Sequence, residues 1–110
     1  MPNINAVVSA STSYYCTTST DEKNKQFVET LFAAVGTIVE LPEAQFSTFT
    51  TIGCASPAFT YMYIDALARA GVMEGMSKEL ALKIAASSVL GSAKMIHQLL
   101  ILRLYFPKRL

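Results

Sequence analysis

The stretch that decides how this chain reads is Ser56 to Ile96, SPAFTYMYIDALARAGVMEGMSKELALKIAASSVLGSAKMI. It opens on Ser56-Pro57, a capping residue followed by proline at the first helical position, which predicts a helix start. Behind it, Ala58, Phe59, Met62, Tyr63, Ile64, Leu67 and Ala70 cover most of a helix circumference. Such a helix is expected to be buried on more than one side. Gly71 and Gly75 loosen its end, and Ser77 is placed to cap a second helix running from Lys78 to about Arg103. That helix carries a small-residue row, Ala81, Ala85, Ser88 and Ser92, which would let another helix approach closely. An apolar row of Ile84, Val89, Ala93, Ile96 and Leu100 lies beside it.

Upstream of this segment the texture is different. The first 20 residues are rich in Ser, Thr and Asn, and within them Ala10 to Thr17 reads as a strand. Ser19 to Glu22 fits a capping box, with Ser19 as the cap and Glu22 reaching back. The helix that follows shows a one-sided stripe of Phe27, Val28, Leu31, Phe32 and Val35, and Gly36 is placed to end it in a left-handed conformation. Thr37 to Leu41 reads as a second short strand stopped by Pro42. Glu43 to Thr51 has room for a short helix. The order strand, helix, strand and then long helices predicts an α+β chain, mainly α, with an α/β layer too small to be a domain alone.

Composition narrows the function classes. The chain has 110 residues, of which 52% are apolar and 15% charged, with a net charge of +1. That apolar share excludes a disordered tail. The near-neutral charge argues against a nucleic-acid module driven by phosphate neutralisation. The charge fraction lies below the roughly 25% of an average soluble chain, so the surface reads as one that meets a partner. Residues 1–56 hold two basic and five acidic side chains, whereas residues 57–110 hold seven basic and three acidic. Cys16 and Cys54 lie too far apart for a metal-binding pair and read as two small buried thiols in a reducing cytosol. Met1 to Ala10 has no Lys or Arg before its weak apolar stretch and does not read as a signal peptide. No uncharged apolar window is long enough for a membrane span.

Each candidate for chemistry has a plainer reading beside it. The glycines stand singly at 36, 53, 71, 75 and 91, so no glycine-rich loop cradles a phosphate. His97 is the sole histidine; without an orienting carboxylate nearby it reads as structural. Asp65 reads as one half of a helix-edge ion pair. Arg103, Lys108 and Arg109 read as a solvated end.

Four stretches carry a family resemblance. Met1-Pro2-Asn3 resembles the Met-Pro-Asn motif of the pyrroline-5-carboxylate reductases, which closes their dinucleotide-binding domain. Gly53-Cys54-Ala55-Ser56-Pro57-Ala58 is similar to their Ser-Gly-Ser-Gly-Pro-Ala turn, which opens the long dimerisation helix. Asp65 to Val72 and Leu90 to Met95 resemble the next two helical signatures. The likeness runs from residue 1 to about residue 96, in the family's order.

The resemblance implies a division into residues 1–42, the end of a Rossmann dinucleotide-binding domain, and residues 43–110, part of a helical dimerisation domain with an atypical stretch at 97–110. It implies a whole enzyme that passes hydride from NADPH or NADH to pyrroline-5-carboxylate, giving L-proline. It further implies a cytoplasmic homodimer or higher homo-oligomer, with no nucleic-acid or membrane partner and no metal. Met1, Pro2 and Asn3 would lie near the nicotinamide, and Cys54, Ala55, Ser56 and Pro57 near the cofactor or substrate end; no catalytic residue is assigned. Three departures stand against this. Ile4-Asn5 replace the usual Thr-Pro, the 53–56 turn has lost glycines, and residues 97–110 do not resemble the family's Ser-Pro-Gly-Gly-Thr-Thr segment. A piece of such a reductase, inactive alone and without tight cofactor binding, is therefore the leading expectation. The rivals are a helical self-association module without catalysis and a small-anion binder at the helix starts of Ser56 and Ser77.

Overall fold

The computed structural model describes residues 1–18 and 20–98. The fold is α+β and mainly helical. A short 3-10 turn, Ile4–Val8, leads into strand β1 (Ser11–Tyr15), helix α1 (Glu22–Ala33) and strand β2 (Gly36–Glu40). β1 and β2 are parallel, in register from Ser11 opposite Gly36 to Tyr15 opposite Glu40. A parallel pair needs a crossover, and α1 supplies it. The strand-helix-strand order read from sequence is therefore present, with both strands starting within a residue of expectation.

The details of α1 differ from the sequence reading. Its cap is Asp21, whose carboxylate accepts from the Lys23 amide at 2.9 Å; the expected capping residue Ser19 lies outside the described residues. Asp21 stands directly before Glu22, and a carboxylate there meets the exposed amides and the positive helix end together. The apolar stripe is only partly used. Val28 and Phe32 are half-buried, while Phe27 and Leu31 remain exposed, because a two-stranded sheet is narrower than the stripe.

Gly36 does not cap α1, which ends at Ala33; it is the first residue of β2, at φ +146°. A Cβ there would fall 2.0 Å from the Ser11 carbonyl oxygen. Glycine is thus required by the close approach of β1 rather than by the helix end.

Between the sheet and the long helices the chain stays helical throughout. A 3-10 turn (Glu43–Gln45) leads into the short helix α2 (Phe46–Phe49). A π-helical stretch (Thr50–Ala55) follows and runs into α3 (Ser56–Met73). This overturns the reading of Ser56-Pro57 as a fresh helix start. Ser56 has helical angles, φ −60° and ψ −32°, and its hydroxyl donates back to the Ile52 carbonyl. A residue already inside a helical run cannot cap it, and the anion site imagined at Ser56 has no free helix end to stand on.

By their contacts the residues form two compact units, Met1–Phe59 and Thr60–Leu110. The first is built around Tyr14, which is 2% exposed. Its ring meets Phe46 edge-on at 5.5 Å and Phe49 at 5.2 Å, and its hydroxyl donates to the Pro42 carbonyl at 3.0 Å. Burial, with the Cys16 thiol and the Glu43 carboxylate nearby, raises the Tyr14 pKa. Tyr15 faces outward and joins three elements: its hydroxyl donates to Glu29 on α1 at 2.6 Å and lies 3.4 Å from Glu40 on β2. Lys25 bridges to the same Glu40 at 3.4 Å.

These bonds give Tyr15 a testable signature. The Glu29 hydrogen bond, reinforced by desolvation, raises its pKa above the ordinary 10.0. As pH climbs past that value the unfolded chain releases the proton first, so the stability Tyr15 supplies is complete below about pH 10 and declines above it. Tyr15→Phe is expected to flatten the alkaline fall of the first unit's urea midpoint by one tyrosine's share, leaving the share of Tyr14. An unchanged alkaline slope would count against the Glu29 bond.

The second unit is a helical hairpin. Gly75, at φ +97°, closes α3: its N–H donates to Val72 and the Met76 N–H to Gly71, both at 3.0 Å, which is a Schellman ending. Ser77 then caps α4 (Lys78–Gln98), its hydroxyl accepting from the Leu80 amide at 3.3 Å, as the sequence predicts. Ala68, Ala81 and Ala85 are buried where the helices meet, with Ile64, Met76 and Leu82 packed around them. A Cβ at Gly71 would sit 3.3 Å from that of Ala81. Half of the small-residue row therefore works inside this hairpin; Ser88 and Ser92 are exposed, with the Ser92 hydroxyl donating to the Ser88 carbonyl at 2.9 Å. Residues 99–110, including Leu100, Arg103, Lys108 and Arg109, lie outside the described residues.

The expectation that α3 is buried on several sides fails within one chain. Ile64 and Ala68 face α4, but Met62, Tyr63, Ala66, Leu67, Ala70 and Met73 form an exposed stripe, with Met62 69% and Met73 85% exposed. A two-helix hairpin covers only one side of each helix.

Candidate functional site

The two segments singled out from sequence, residues 1–3 and 53–57, meet in the first unit. β1 is the reason. Alternate residues of a parallel strand point their backbone groups to opposite sides, and Ser11 and Tyr15 bond toward β2 and its flanks. Thr12 and Tyr14 therefore face the other edge, where the N-terminal segment lies. Met1 exchanges both backbone bonds with Tyr14: its amino group donates to the Tyr14 carbonyl, and the Tyr14 N–H donates to the Met1 carbonyl at 2.9 Å. Two residues on, the Asn3 N–H donates to the Ser11 hydroxyl at 3.1 Å.

The Asn3 side chain lies where these elements converge. Its Oδ1 accepts from the Asn5 N–H at 3.1 Å and the Thr12 N–H at 3.4 Å. Its Nδ2 donates to the Gly53 carbonyl at 2.7 Å, across 50 residues of sequence. Gly53 is buried, and a Cβ there would lie 2.7 Å from the Phe49 ring, so the ring that packs on Tyr14 also covers Gly53. Beyond it Cys54 and Ser56 are half-buried, Ala55 is exposed and Pro57 is buried. Met1 and Pro2 are exposed.

Of the remaining candidates, Asp65 takes its plainer role and the cysteines do not. Asp65 pairs with Arg69 at 2.7 Å, one turn along an exposed helix edge, a pair of small energetic weight. His97 stands exposed in the last turn of α4. Cys54 is half-buried and Cys16 exposed, so the expected pair of buried thiols is corrected: Cys16 lies just past the end of β1, outside the strand's buried stretch. Among the described residues no group of His, Cys, Asp and Glu is arranged to hold a metal, and no helix is long and apolar enough to cross a membrane. A cavity of about 820 Å³ opens beyond the carboxyl ends of the strands, lined by Cys16, Thr17, Glu40 and Pro42 among others. It includes none of residues 1–3 or 53–57.

A parallel βαβ unit whose edge is tied to the entry of a long helix, followed by an apolar helical hairpin, defines a chain that joins a small α/β layer to a helical segment. Residues 43–103 match the family model described as pyrroline-5-carboxylate reductase dimerisation, and the chain belongs to that family. Its relatives include a pyrroline-5-carboxylate reductase of Aquifex aeolicus, 38% identical over 99 residues, and one of Methanosarcina acetivorans, 42% identical over 97. These alignments take in 89% and 86% of this chain but only 37% and 36% of those relatives. A Plasmodium falciparum pyrroline carboxylate reductase solved with NADP bound superposes with a TM-score of 0.80 at 30% identity, over 90% of this chain and 41% of that one. A Coxiella burnetii pyrroline-5-carboxylate reductase gives a TM-score of 0.82 at 27% identity, over 90% and 37%. The order of motifs read from sequence therefore identifies the family correctly.

Asn3 is where the structure adds to the sequence reading. The resemblance implies a place beside a nicotinamide; in the structure both ends of the Asn3 amide are engaged by protein groups. The signal available in the sequence was Pro57, whose missing N–H leaves a helical carbonyl in need of another donor.

Proposed function

We propose that this chain works as part of a pyrroline-5-carboxylate reductase, which moves hydride from NADPH or NADH to the C=N bond of pyrroline-5-carboxylate and yields L-proline. The observation that carries the reading is the match of residues 43–103 to the dimerisation model, with the Met1-Pro2-Asn3 motif held beside the start of that segment. Residues 1–42 belong in this reading to the nucleotide-binding part and residues 43–110 to the dimerisation part. The nicotinamide would supply the hydride. Met1 and Pro2, both exposed, would offer it a surface, while Asn3 has one Nδ2 hydrogen left uncommitted by the bonds above. Cys54, Ala55, Ser56 and Pro57 would border the cofactor or substrate end. Two thiols outside any disulfide fit a reducing, cytoplasmic setting.

The chain by itself is expected to be catalytically silent and to bind no nicotinamide nucleotide tightly. Residues 1–110 contain neither a glycine-rich phosphate loop nor the family's Ser-Pro-Gly-Gly-Thr-Thr segment, and positioning supplies much of the rate of such a transfer. The reading is tested by exchanging residues 1–96 for the matching segment of the Aquifex aeolicus relative. The chimera should oxidise NADPH when given pyrroline-5-carboxylate. A chimera that assembles normally but leaves NADPH untouched would overturn it.

Self-association through the α3 stripe belongs to the same proposal. Charging the centre of an apolar interface commonly weakens it by tenfold or more. Met62→Asp is expected to weaken association of the 110-residue chain by at least about tenfold, read by sedimentation equilibrium. Helicity should change little, since Met62 is 69% exposed within one chain. Undiminished association would remove the stripe from the interface.

A further inference from the structure

We infer that Asn3 is a positioning residue, a side-chain clasp that fixes segment 54–57 against the edge of β1. The inference rests on the reductase reading only for the meaning of that segment. The need for a clasp comes from Pro57. Proline has no N–H, so the carbonyl four residues back loses the donor an α-helix would give it, and the ring crowds that same carbonyl. Four residues back is Gly53, and its carbonyl receives the Asn3 Nδ2 at 2.7 Å. Five residues back, the spacing of the π-helical stretch, is Ile52, and its carbonyl receives the Ser56 hydroxyl. Both acceptors disturbed by the proline are thus met by side chains.

Asn3 can hold Gly53 firmly because Asn3 is itself held. Its Oδ1 is fixed by the Asn5 and Thr12 amides, and its own N–H by Ser11. Phe49 closes over Gly53 from its Cα side. The amide therefore carries bonds to the following turn and to β1 through oxygen, and one bond to the helix entry through nitrogen. In a reductase this would set the spacing between the nicotinamide side, residues 1–3, and the substrate side, residues 54–57.

Asparagine and aspartate separate the two sets. Asn3→Asp keeps an oxygen for the Asn5 and Thr12 amides and loses the donor to Gly53. In the full 110-residue chain, amide exchange at Cys54, Ala55, Ser56 and Ala58 is expected to quicken about tenfold, the scale of an unmet carbonyl. The Gly53 carbonyl carbon resonance should move, while the Asn5 and Thr12 amides keep their protection. Asn3→Ala should release both sets. A merely structural role would instead speed exchange across β1, β2 and segment 54–58 alike in both variants, and that uniform result would overturn the clasp, as would unchanged exchange at 54–58 in Asn3→Asp. None of these readings depends on reductase activity, so the clasp and the enzyme assignment fail separately.

Discussion

Replacing Tyr14 with alanine is expected to lower the stability of the first unit by about 3–5 kcal/mol, the range for truncating a buried aromatic side chain. For a unit of this size that is a large share of the total. Among the described residues Tyr14 is the largest fully buried side chain, and three separate contacts depend on it. Its ring holds Phe46 and Phe49 of α2, its hydroxyl holds the Pro42 carbonyl, and its backbone pairs with Met1. Removing the ring would also free Phe49, which covers Gly53. Urea unfolding followed by the amide resonances of β1 reads the loss. Tyr14→Phe separates ring from hydroxyl: it should cost about 1 kcal/mol, the value of one hydrogen bond. A small loss in Tyr14→Ala would mean that the cluster is not the core of this unit.

Gly36→Ala is the second large effect, and its cause is backbone rather than packing. The added Cβ would meet the Ser11 carbonyl oxygen at 2.0 Å and the Ser11 nitrogen at 2.5 Å, where no flexible side chain can yield. The φ of +146° adds strain that alanine does not tolerate. A loss of about 3 kcal/mol or more is expected, with the β1–β2 register disturbed at Ser11 opposite Gly36. Gly75→Ala is the comparison. Gly75 also has positive φ, +97°, but nothing stands within 4 Å of its missing Cβ. It should cost only about 1 kcal/mol. Equal costs at the two positions would show that the Ser11 contact carries no weight.

These two residues also show what the sequence could and could not tell. Tyr14 lies in a β-branched and aromatic run, so its strand was legible, as were the α1 stripe, β2 and the Ser77 cap. All of these are local signals, written within a few residues. Gly36 was legible as a special glycine but not for the right reason: a glycine after a helix looks like a cap, and the partner that demands it, Ser11, lies on another strand. Ser56-Pro57 misled in the same way. Locally it is a helix start. The bonds that let the helix run through it come from Ser56 itself and from Asn3, fifty residues distant. The apolar surface of α3 was legible as surface that needs covering, but a single chain does not show what covers it. The candidate site was legible as two motifs in order, and their meeting at Asn3 and Gly53 was not.

The dimerisation family that residues 43–103 match implies that the helical hairpin is an association segment. Sedimentation velocity on the purified chain at micromolar concentration tests this most directly. A species of twice the 12.0 kDa chain mass, or a higher multiple, is expected, and Met62→Asp should shift it toward the single chain. A sharp boundary at 12.0 kDa across that range, with the helices folded, would contradict it.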